Sequence, residues 1–277
     1  MSARKSTRRS RSIWTLILSV IALAVGLVVA QASSGAASTC QGQTATIVGT
    51  TGDDTLTGGP GNDVVVLLSG DDFFDGQGGT DVICGGSGAD FLVGGAGDDT
   101  LDGGSGNDQV RGDFFSATGD AAGDGGNDTL IGGAGGDDRA AGDNFAPNGN
   151  ASGNGGDDFI TEAERTTADN LAGGPSAGDG GDDTVRGCIV CVGDNQSFTG
   201  ETAGTGGDDT ITSGPGPDIV HGDHEAAGAG GAGGGGNDDI STLGGADRID
   251  GGPATDRCDG GTGKDSAVNC ETQIDIP

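Results

Sequence analysis

Residues 49–111 read as seven consecutive nonapeptides, GTTGDDTLT, GGPGNDVVV, LLSGDDFFD, GQGGTDVIC, GGSGADFLV, GGAGDDTLD and GGSGNDQVR. The sixth residue of every unit is Asp, the eighth is apolar, and glycine holds most of the first, second and fourth places. A short fixed period is typical of a solenoid, in which each unit buries its apolar residue only by stacking on its neighbours. The stretch therefore predicts a repeat fold and not a conventional globular core.

Each nonapeptide divides into a turn and a short strand. Glycine adopts positive φ at little steric cost and lets two backbones approach closely, so the first six residues form a tight turn. Side chains alternate across a strand, so the eighth residue faces one way and its neighbours face the other. The eighth places are therefore predicted to stack into one thin core, formed by Leu56, Val65, Phe74, Ile83, Leu92, Leu101 and Val110.

The sixth-place aspartates are candidate metal ligands. Close backbone approach at the glycines leaves carbonyl oxygens beside each Asp carboxylate, and hard oxygen ligands in a flexible turn suit Ca²⁺, which takes about 6–8 of them. An acidic low-complexity coil would explain the composition but not the fixed apolar place. The predicted ligands in this block are Asp54, Asp63, Asp72, Asp81, Asp90, Asp99 and Asp108.

This pattern resembles the RTX (repeats-in-toxin, hemolysin-type) calcium-binding family, with consensus G-G-x-G-x-D-x-apolar-x. The units that begin at Gly58, Gly94 and Gly103 match it in full. The resemblance implies an all-β fold, a parallel β-roll or β-solenoid in which two nonapeptides make one coil. It also implies that each Ca²⁺ lies between successive turns on one side, with five sites in this block, and that fifth-place Asn or Asp and Gly carbonyls assist the sixth-place Asp.

A second, longer period follows residue 111. Nonapeptides begin at Gly123, Gly153, Gly178, Gly204 and Gly233, and each is preceded by a short segment that opens with Gly-Asp or Ala-Asp, at Gly112, Gly142, Ala168, Gly193 and Gly222. We interpret 112–232 as the same solenoid with lateral loops, the alternative being flexible linkers between isolated half-turns. Unbroken nines return at 233–268. The further predicted calcium ligands are Asp128, Asp158, Asp183, Asp209, Asp218, Asp238, Asp247, Asp256 and Asp265.

The chain is thereby divided into six parts. A basic start, an apolar run from Ile13 to Ala30 and an A-x-A sequence predict a secretory signal peptide at 1–32, with a retained membrane anchor as the alternative. The remaining parts are an N-terminal cap at 33–48, regular calcium-binding repeats at 49–111, looped repeats at 112–232, regular repeats at 233–268 and a C-terminal cap at 269–277.

Composition agrees with a metal-folded solenoid. The chain has 63 Gly, 43 acidic and 12 basic residues, and loss of the basic signal peptide would leave a net charge near −36. Without metal, such closely spaced carboxylates repel one another and oppose compaction, so calcium binding and folding are expected to be one equilibrium. The charge argues against nucleic acid or an anionic membrane as a partner. We expect a monomer, with an unknown protein or cell surface as a partner for the loops in 112–232.

The six cysteines suggest disulfides in an oxidising, extracellular compartment. Fifteen pairings are possible, and we favour Cys40–Cys84 and Cys258–Cys270 at the two ends together with a local Cys188–Cys191 bridge. The Cys188-x-x-Cys191 spacing also allows redox or zinc chemistry, but no thioredoxin-like setting and no second ligand pair is visible.

Two motifs keep an enzyme in view as the alternative. Gly174-Pro-Ser-Ala-Gly178 matches G-x-S-x-G around Ser176, but a hydrolase elbow needs a strand before the Ser and a helix after it. His221 and His224 lack the H-E-x-x-H pattern of a zinc protease. The sequence thus predicts a secreted, non-enzymatic, calcium-ion-binding protein with a structural or interaction surface, and a calcium-stabilised hydrolase or toxin-related protein is the competing hypothesis.

Overall fold

The computed structural model describes residues 38–172, 176–197, 202–223, 225–226 and 234–277. They lie in one compact unit that spans 36–277. The predicted signal peptide and the beginning of the N-terminal cap lie outside the described residues. Within the described ranges every regular element is a β-strand. None of these residues belongs to a helix with the length and hydropathy of a membrane span.

The strands of the repeats alternate between two long parallel sheets. Sheet 1 has eleven strands, and its order follows the sequence without interruption. The short strands form because the last three places of each nonapeptide carry β-branched, aromatic or other apolar residues between glycine-rich turns. The strands of sheet 1 are Ile47–Val48, Val64–Val66, Val82–Ser87, Thr100–Ser105, Thr129–Ile131, Phe159–Thr161, Thr184–Arg186, Thr210–Thr212, Asp239–Ser241, Arg257–Asp259 and Thr272–Ile274.

Sheet 2 has ten strands. Along the chain each of them lies between two successive strands of sheet 1. In the regular block each residue pairs, in both sheets, with the residue at the same place of the second nonapeptide after its own, as for Val65 with Ile83 and Phe74 with Leu92. Two nonapeptides therefore make one coil, and the predicted parallel β-roll is confirmed. The strands of sheet 2 are Thr55–Thr57, Phe73–Asp75, Phe91–Val93, Gln109–Arg111, Arg139–Ala141, Arg165–Thr167, Val190–Val192, Ile219–His221, Arg248–Asp250 and Ser266–Val268.

The core is the single layer of side chains between these two sheets. Apart from the last strand, where Gln273 is exposed, the middle residue of each three-residue strand points inward. The eighth places from Val65 to Val110 are fully buried, whereas Leu56 at the open end is only partly buried. The same layer continues through the looped coils. Its further buried members include Leu130, Ala140, Ile160, Val185, Cys191, Ile211, Val220, Ile240, Ile249 and Cys258.

The lateral loops enter the coil at one place in the nonapeptide. A Cβ on Gly94, a first-place glycine, would press against the carbonyl oxygen of Gly112, and a Cβ on Gly126 would press against that of the fourth-place Gly97. Gly112 and Gly126 therefore hold the first and fourth places of one turn, although a whole loop separates them along the chain. The loop is an insertion between the second and third places.

This insertion point corrects the register predicted for the looped coils. The unit predicted to begin at Gly123 has a glycine in its first place, but Gly123 and Asp124 belong to the loop, and Gly112 and Asp113 hold the first two places. The same shift applies to the units predicted at Gly153, Gly178, Gly204 and Gly233, whose turns open at Gly142, Ala168, Gly193 and Gly222. Their sixth-place aspartates keep the predicted position.

The loops add strands of their own. All five insertions precede strands of sheet 1, so they stack along one edge of the roll. They form two four-stranded parallel sheets, which pack against each other through small alanines such as Ala121, Ala146 and Ala172. Sheet 3 contains Ala121–Ala122, Ala151–Ser152, Ser176–Ala177 and Thr202–Ala203, and sheet 4 contains Phe145–Ala146, Leu171–Ala172, Gln196–Ser197 and Glu225–Ala226.

Disulfides hold both ends and one internal coil. The pairs are Cys40–Cys84, Cys188–Cys191 and Cys258–Cys270, which confirms the predicted pairing. The N-terminal bridge lies beside a short antiparallel pair of strands, Thr39–Cys40 and Gln43–Thr44. The remaining small sheet joins Gly244–Gly245 to Thr262–Gly263 near the C-terminal end.

Candidate metal centre

The sixth-place acidic residues line the two edges of the roll. Edge 1 is formed by the turns that precede strands of sheet 1, and edge 2 by the turns that precede strands of sheet 2. Because coils stack in register, equivalent carboxylates lie directly above one another. The column on edge 1 is Asp63, Asp81, Asp99, Asp128, Asp158, Asp183, Asp209, Asp238, Asp256 and Glu271.

Edge 2 carries two shorter columns. The first is Asp54, Asp72, Asp90, Asp108, Asp138 and Glu164. The second is Asp218, Asp247 and Asp265. All sixteen predicted aspartates therefore lie in one of the three columns, at one turn each.

After the first member of each column, one oxygen of the carboxylate accepts a hydrogen bond from a backbone amide of the coil before it. The backbone N–H of Asp63 donates to Asp81 Oδ1 at 2.8 Å, and that of Asp158 donates to Asp183 Oδ1 at 2.7 Å. The same contact recurs through the columns, up to Asp247 N–H and Asp265 Oδ1 at 3.0 Å. These bonds fix the side-chain rotamer and satisfy a turn amide that has no strand partner.

The second oxygen of most of these carboxylates is buried and has no hydrogen-bond partner. A buried carboxylate without compensation is strongly unfavourable, and such groups are normally paired or bound to metal. An oxygen held in this way is suited to bind a cation. It occurs in Asp72, Asp81, Asp90, Asp99, Asp108, Asp128, Asp138, Asp158, Asp183, Asp209, Asp238, Asp247, Asp256 and Asp265.

In ten of these fourteen turns a first-place glycine forms the wall opposite the unpaired oxygen. A Cβ added to Gly85 would lie 2.5 Å from Asp90 Oδ2 and 2.6 Å from the carbonyl oxygen of Gly103 in the next coil. The first-place glycine thus brings a carboxylate oxygen and a carbonyl oxygen to one small space. Such a mixed oxygen set suits Ca²⁺ better than transition metals, which favour nitrogen or sulfur ligands.

Backbone oxygens are an essential part of this donor set. Among the residues that the structure describes, no three Asp, Glu, His or Cys side chains converge into one metal-binding group. A calcium ion in these turns would hence take carboxylates from neighbouring coils together with glycine carbonyls. With the backbone carbonyls included, the donor set fits Ca²⁺, the ion that the sequence predicts.

In three predicted ligands the second carboxylate oxygen does have a hydrogen-bond partner. Thr50 N–H donates to Asp54 Oδ2 at 2.6 Å, Gly59 N–H donates to Asp63 Oδ2 at 3.1 Å, and Ser213 O–H donates to Asp218 Oδ2 at 2.6 Å. Each of these aspartates begins its column. The structure places them in line with the others but gives them a partner for the second oxygen.

The sequence missed three members of the columns. Asp138 departs from the nonapeptide register because the turn from Gly132 has one extra residue, which moves the acid from the sixth to the seventh place. Glu164 and Glu271 follow shortened turns and end their columns, where Glu164 Oε2 accepts from Asp138 N–H at 2.7 Å and Glu271 Oε2 accepts from Asp256 N–H at 2.9 Å. The longer glutamate side chain compensates for the shorter turn.

The fifth-place residues lie outside the columns. Their side chains are exposed, and they bond in the opposite direction, since Asp208 N–H donates to Asp182 Oδ1 at 2.8 Å and Thr80 N–H donates to Asn62 Oδ1 at 3.0 Å. This position links successive turns on the outside. Their predicted assistance in calcium binding stays a prediction.

Burial raises the pKa values of many of the column aspartates. Desolvation is the largest cause throughout, and it raises the pKa of Asp81 to about 6, of Asp99 to about 8 and of Asp238 to about 8. For Asp128 the charge of Asp113 adds to desolvation, and its pKa rises to about 10. Without a bound cation the folded turns thus favour protonated carboxyl groups.

The enzyme-like motifs do not form a second centre among the described residues. Ser176 lies in sheet 3, is buried, and donates to the carbonyl of Asn170 at 3.2 Å and to Asn195 Oδ1 at 3.3 Å. His221 ends a strand of sheet 2, and His224 lies outside the described residues. Cys188 and Cys191 are bonded to each other.

Comparison with known proteins agrees with the geometry of the turns. A family model described as RTX calcium-binding nonapeptide repeat (4 copies) matches residues 45–74, 58–92, 84–116, 203–224 and 232–267. The matched segments cover the coils without loops, and the match is interrupted between 116 and 203, where most of the insertions lie. No curated protein and no solved structure matches the chain.

Proposed function

Because the chain carries RTX calcium-binding nonapeptide repeats, which bind Ca²⁺, we propose that it is a secreted, non-enzymatic protein that folds when it binds extracellular calcium. The observation that carries the proposal is the row of buried Asp Oδ2 atoms without a hydrogen-bond partner on both edges. No basic side chain is paired with these oxygens in the described ion pairs, which involve Arg165 and Arg257.

Calcium supplies the charge that this fold needs. Carboxylates in successive coils are brought together by the parallel register, so their mutual repulsion and their desolvation both oppose folding in the absence of a cation. A divalent ion between two turns removes both costs and joins the coils. In a solenoid each coil contacts only its neighbours, so each ion stabilises one interface between coils.

The residues that would hold the ions are the sixth-place acids of the columns and the first-place glycine carbonyls. On edge 1 the continuous column from Asp81 to Asp256 supplies the carboxylates, and on edge 2 the two shorter columns do so. In the folded roll the Oδ1–amide bonds hold most of these carboxylates in position for the ion. Bound calcium would supply electrostatic cross-linking between coils and no reaction.

Secretion is supported by the three disulfides, which persist in oxidising compartments. The absence of an enzymatic role is supported by the environment of Ser176, because a buried hydroxyl that donates to a backbone carbonyl in a parallel strand has neither the strand–turn–helix setting nor the exposure of a hydrolase nucleophile. A calcium-stabilised hydrolase is the competing function, and no described residue set favours it.

The loops of 112–232 are the proposed interaction surface. Sheets 3 and 4 stand on one edge and present a regular row of short strands, which is the arrangement that repeat proteins use to bind partners. The occupant would be a protein or a cell surface able to engage an acidic, repetitive face, and the protein itself is proposed to act as a monomer.

The deciding experiment is a calcium titration of the secreted full chain, starting from chelator and followed by far-UV circular dichroism. We expect a cooperative transition from coil to β structure between roughly micromolar and millimolar calcium. A spectrum that does not change with calcium would overturn the proposal. Equal hydrolytic activity in the wild type and a Ser176→Ala variant would remove Ser176 as a nucleophile.

A further inference from the structure

Five buried aspartates at the base of the lateral loops form a second set of acidic residues on edge 1. They are called the loop-base aspartates and are Asp113, Asp143, Asp169, Asp194 and Asp223. Each stands in the second place of its turn, where loop-free coils carry residues such as Gly95 and Gly104 with positive φ. The lateral loop separates each of them along the chain from the sixth-place Asp of the same turn.

All five side chains are removed from solvent. Four are fully buried and Asp223 is 3% exposed. Asp113 accepts a hydrogen bond from Gly126 N–H at 2.8 Å, and Asp223 accepts one from Gly236 N–H at 2.8 Å. These contacts anchor each carboxylate to the fourth-place amide of its own turn.

Several oxygens of this set are buried without a hydrogen-bond partner. They are Asp113 Oδ1, both carboxylate oxygens of Asp143, Asp169 Oδ2 and Asp223 Oδ2. Buried carboxylate oxygens without a hydrogen-bond partner, as in Asp143, are compatible with a folded protein only if a cation or a proton compensates them. These oxygens point to a bound ligand, because no hydrogen bond among the described residues satisfies them.

Carboxylates of successive loops converge on the same glycine. At Gly155 an added Cβ would overlap Asp169 Oδ1 and would lie 2.8 Å from Asp143 Oδ2. At Gly180 it would overlap Asp194 Oδ1 and would lie 2.6 Å from Asp169 Oδ2. The third-place glycine thus leaves room in each gap between loops for one oxygen from each of two carboxylates.

The loop-base carboxylates meet at the third-place glycine, and the sixth-place carboxylate lies against the first-place glycine of the same turn. A Cβ on the first-place Gly142 would overlap Asp158 Oδ2 and the carbonyl oxygen of Ala168. A gap between two looped coils therefore contains two carboxylates per coil, whereas a gap between loop-free coils contains one. Two negative charges per coil match the charge of one Ca²⁺.

We propose that the loop-base aspartates are calcium ligands, and that they make the four gaps between the five looped coils tighter calcium sites than the gaps between loop-free coils. The inference rests on the proposed calcium-dependent fold and adds a second class of site to it. A cation held by two loop-base carboxylates also lies in the field of the sixth-place carboxylates of the same coils, and nearby negative charge raises the affinity of an oxygen site for Ca²⁺. The looped coils therefore fill first as calcium increases.

Isothermal titration calorimetry of calcium into the chelator-treated full chain tests this inference. The variant is Asp143→Asn with Asp169→Asn, which affects three of the four gaps. The matched control is Asp120→Asn with Asp124→Asn, which makes the same charge change in a loop while Asn keeps the oxygen that accepts a hydrogen bond at each position. We expect two affinity classes in the wild type, loss of at least about tenfold in affinity from the tight class in the variant, and no change in the control.

Three outcomes separate this inference from the proposed function. A wild type that binds calcium together with a variant that keeps the tight class overturns the loop-base assignment alone. A wild type that binds no calcium overturns the proposed function and this inference together. If circular dichroism at saturating calcium shows that the double variant is unfolded, Asp113→Asn, which borders one gap only, decides by the same comparison with Asp120→Asn.

Discussion

Ile189 occupies in one coil the position that Asp218 occupies in the next, because strands Val190–Val192 and Ile219–His221 pair in register. Asp218 is buried, whereas Ile189 is 47% exposed. Edge 2 therefore has no carboxylate at this coil and cannot hold the ion there in the way proposed for its neighbours. The Cys188–Cys191 disulfide brackets the same position. We infer that a covalent bond constrains the turn where the metal ligand is missing.

The stability lost when a disulfide is removed is expected to increase with the number of residues in the loop that it closes. In the chain-entropy model, loss of Cys188–Cys191, with a separation of 3, costs about 2 kcal/mol, and loss of Cys40–Cys84, with a separation of 44, costs about 4 kcal/mol. The measurement is the Tm of each double Cys→Ser variant at saturating calcium. A larger loss from the Cys188–Cys191 variant would mean that this bridge carries more than loop closure.

Asp183→Asn is expected to weaken calcium binding at the two gaps that it borders by at least about tenfold. The Asn oxygen still accepts from Asp158 N–H, but the buried Oδ2 and its charge are lost. The calcium midpoint of the β transition, measured by circular dichroism, should rise. Asp182→Asn is the control, since this neighbour is exposed and its Oδ1 contact with Asp208 N–H is retained. Equal midpoints for the two variants would contradict a ligand role for Asp183.

Gly142→Ala is expected to destabilise the calcium-loaded protein by about 1–3 kcal/mol, the usual cost of overpacking. Its Cβ would overlap both Asp158 Oδ2 and the Ala168 carbonyl oxygen, and φ is not positive at this residue, so the effect is steric. Gly61→Ala places a Cβ where no atom lies within 4 Å and should change stability by less than about 0.5 kcal/mol. Thermal unfolding at saturating calcium compares the two, and equal stabilities would show that the first-place space is not filled.

The fold without calcium is expected to be more stable in acid. Burial raises the folded pKa values of Asp81 to about 6 and of Asp99 to about 8, above the value of 3.8 expected for the unfolded chain. The folded state therefore binds more protons, and stability present near pH 4 is lost as the pH rises through about 6 to 8. Circular dichroism in chelator should show more β structure at pH 4.5 than at pH 8.

Calcium and protons then compete for the same carboxylates. Calcium affinity should rise with pH, and calorimetry in buffers of different ionisation enthalpy should detect proton release on binding. A calcium-free fold that is more stable at pH 8 than at pH 4.5 would contradict both the expected stability in acid and the expected proton release.

Most of the fold could be predicted from the nonapeptide repeat. A fixed spacing of nine decided which residues enter the core and which acids stack, because Val65, Ile83 and Leu101 must share a face if Asp63, Asp81 and Asp99 do. The Cys40–Cys84 and Cys258–Cys270 disulfides were predicted from where the solenoid ends, and Cys188–Cys191 from its local spacing. These features depend on periodicity, which a single sequence displays completely.

The insertion point could not be derived from the sequence in the same way. Gly123-Asp124-Gly125-Gly126 imitates the start of a repeat, so a continuous nonapeptide was the simpler alignment, although the coil takes Gly112 and Asp113 instead. Asp138 was missed for a related reason, since one extra residue in its turn moves it out of the expected place. In both cases stacking on the neighbouring coil, and not local sequence, decides the register.

The hydrogen bonds of the columns give the solenoid a direction. After the first member of each column, the carboxylate accepts a hydrogen bond from an amide of the coil before it, and the amide of Asp256 is paired with Glu271 in this way. The two ends of the roll are therefore chemically unlike, as in a polar filament. A chain cut after Asp256 would leave the amide of Asp256 without the acceptor that Glu271 supplies.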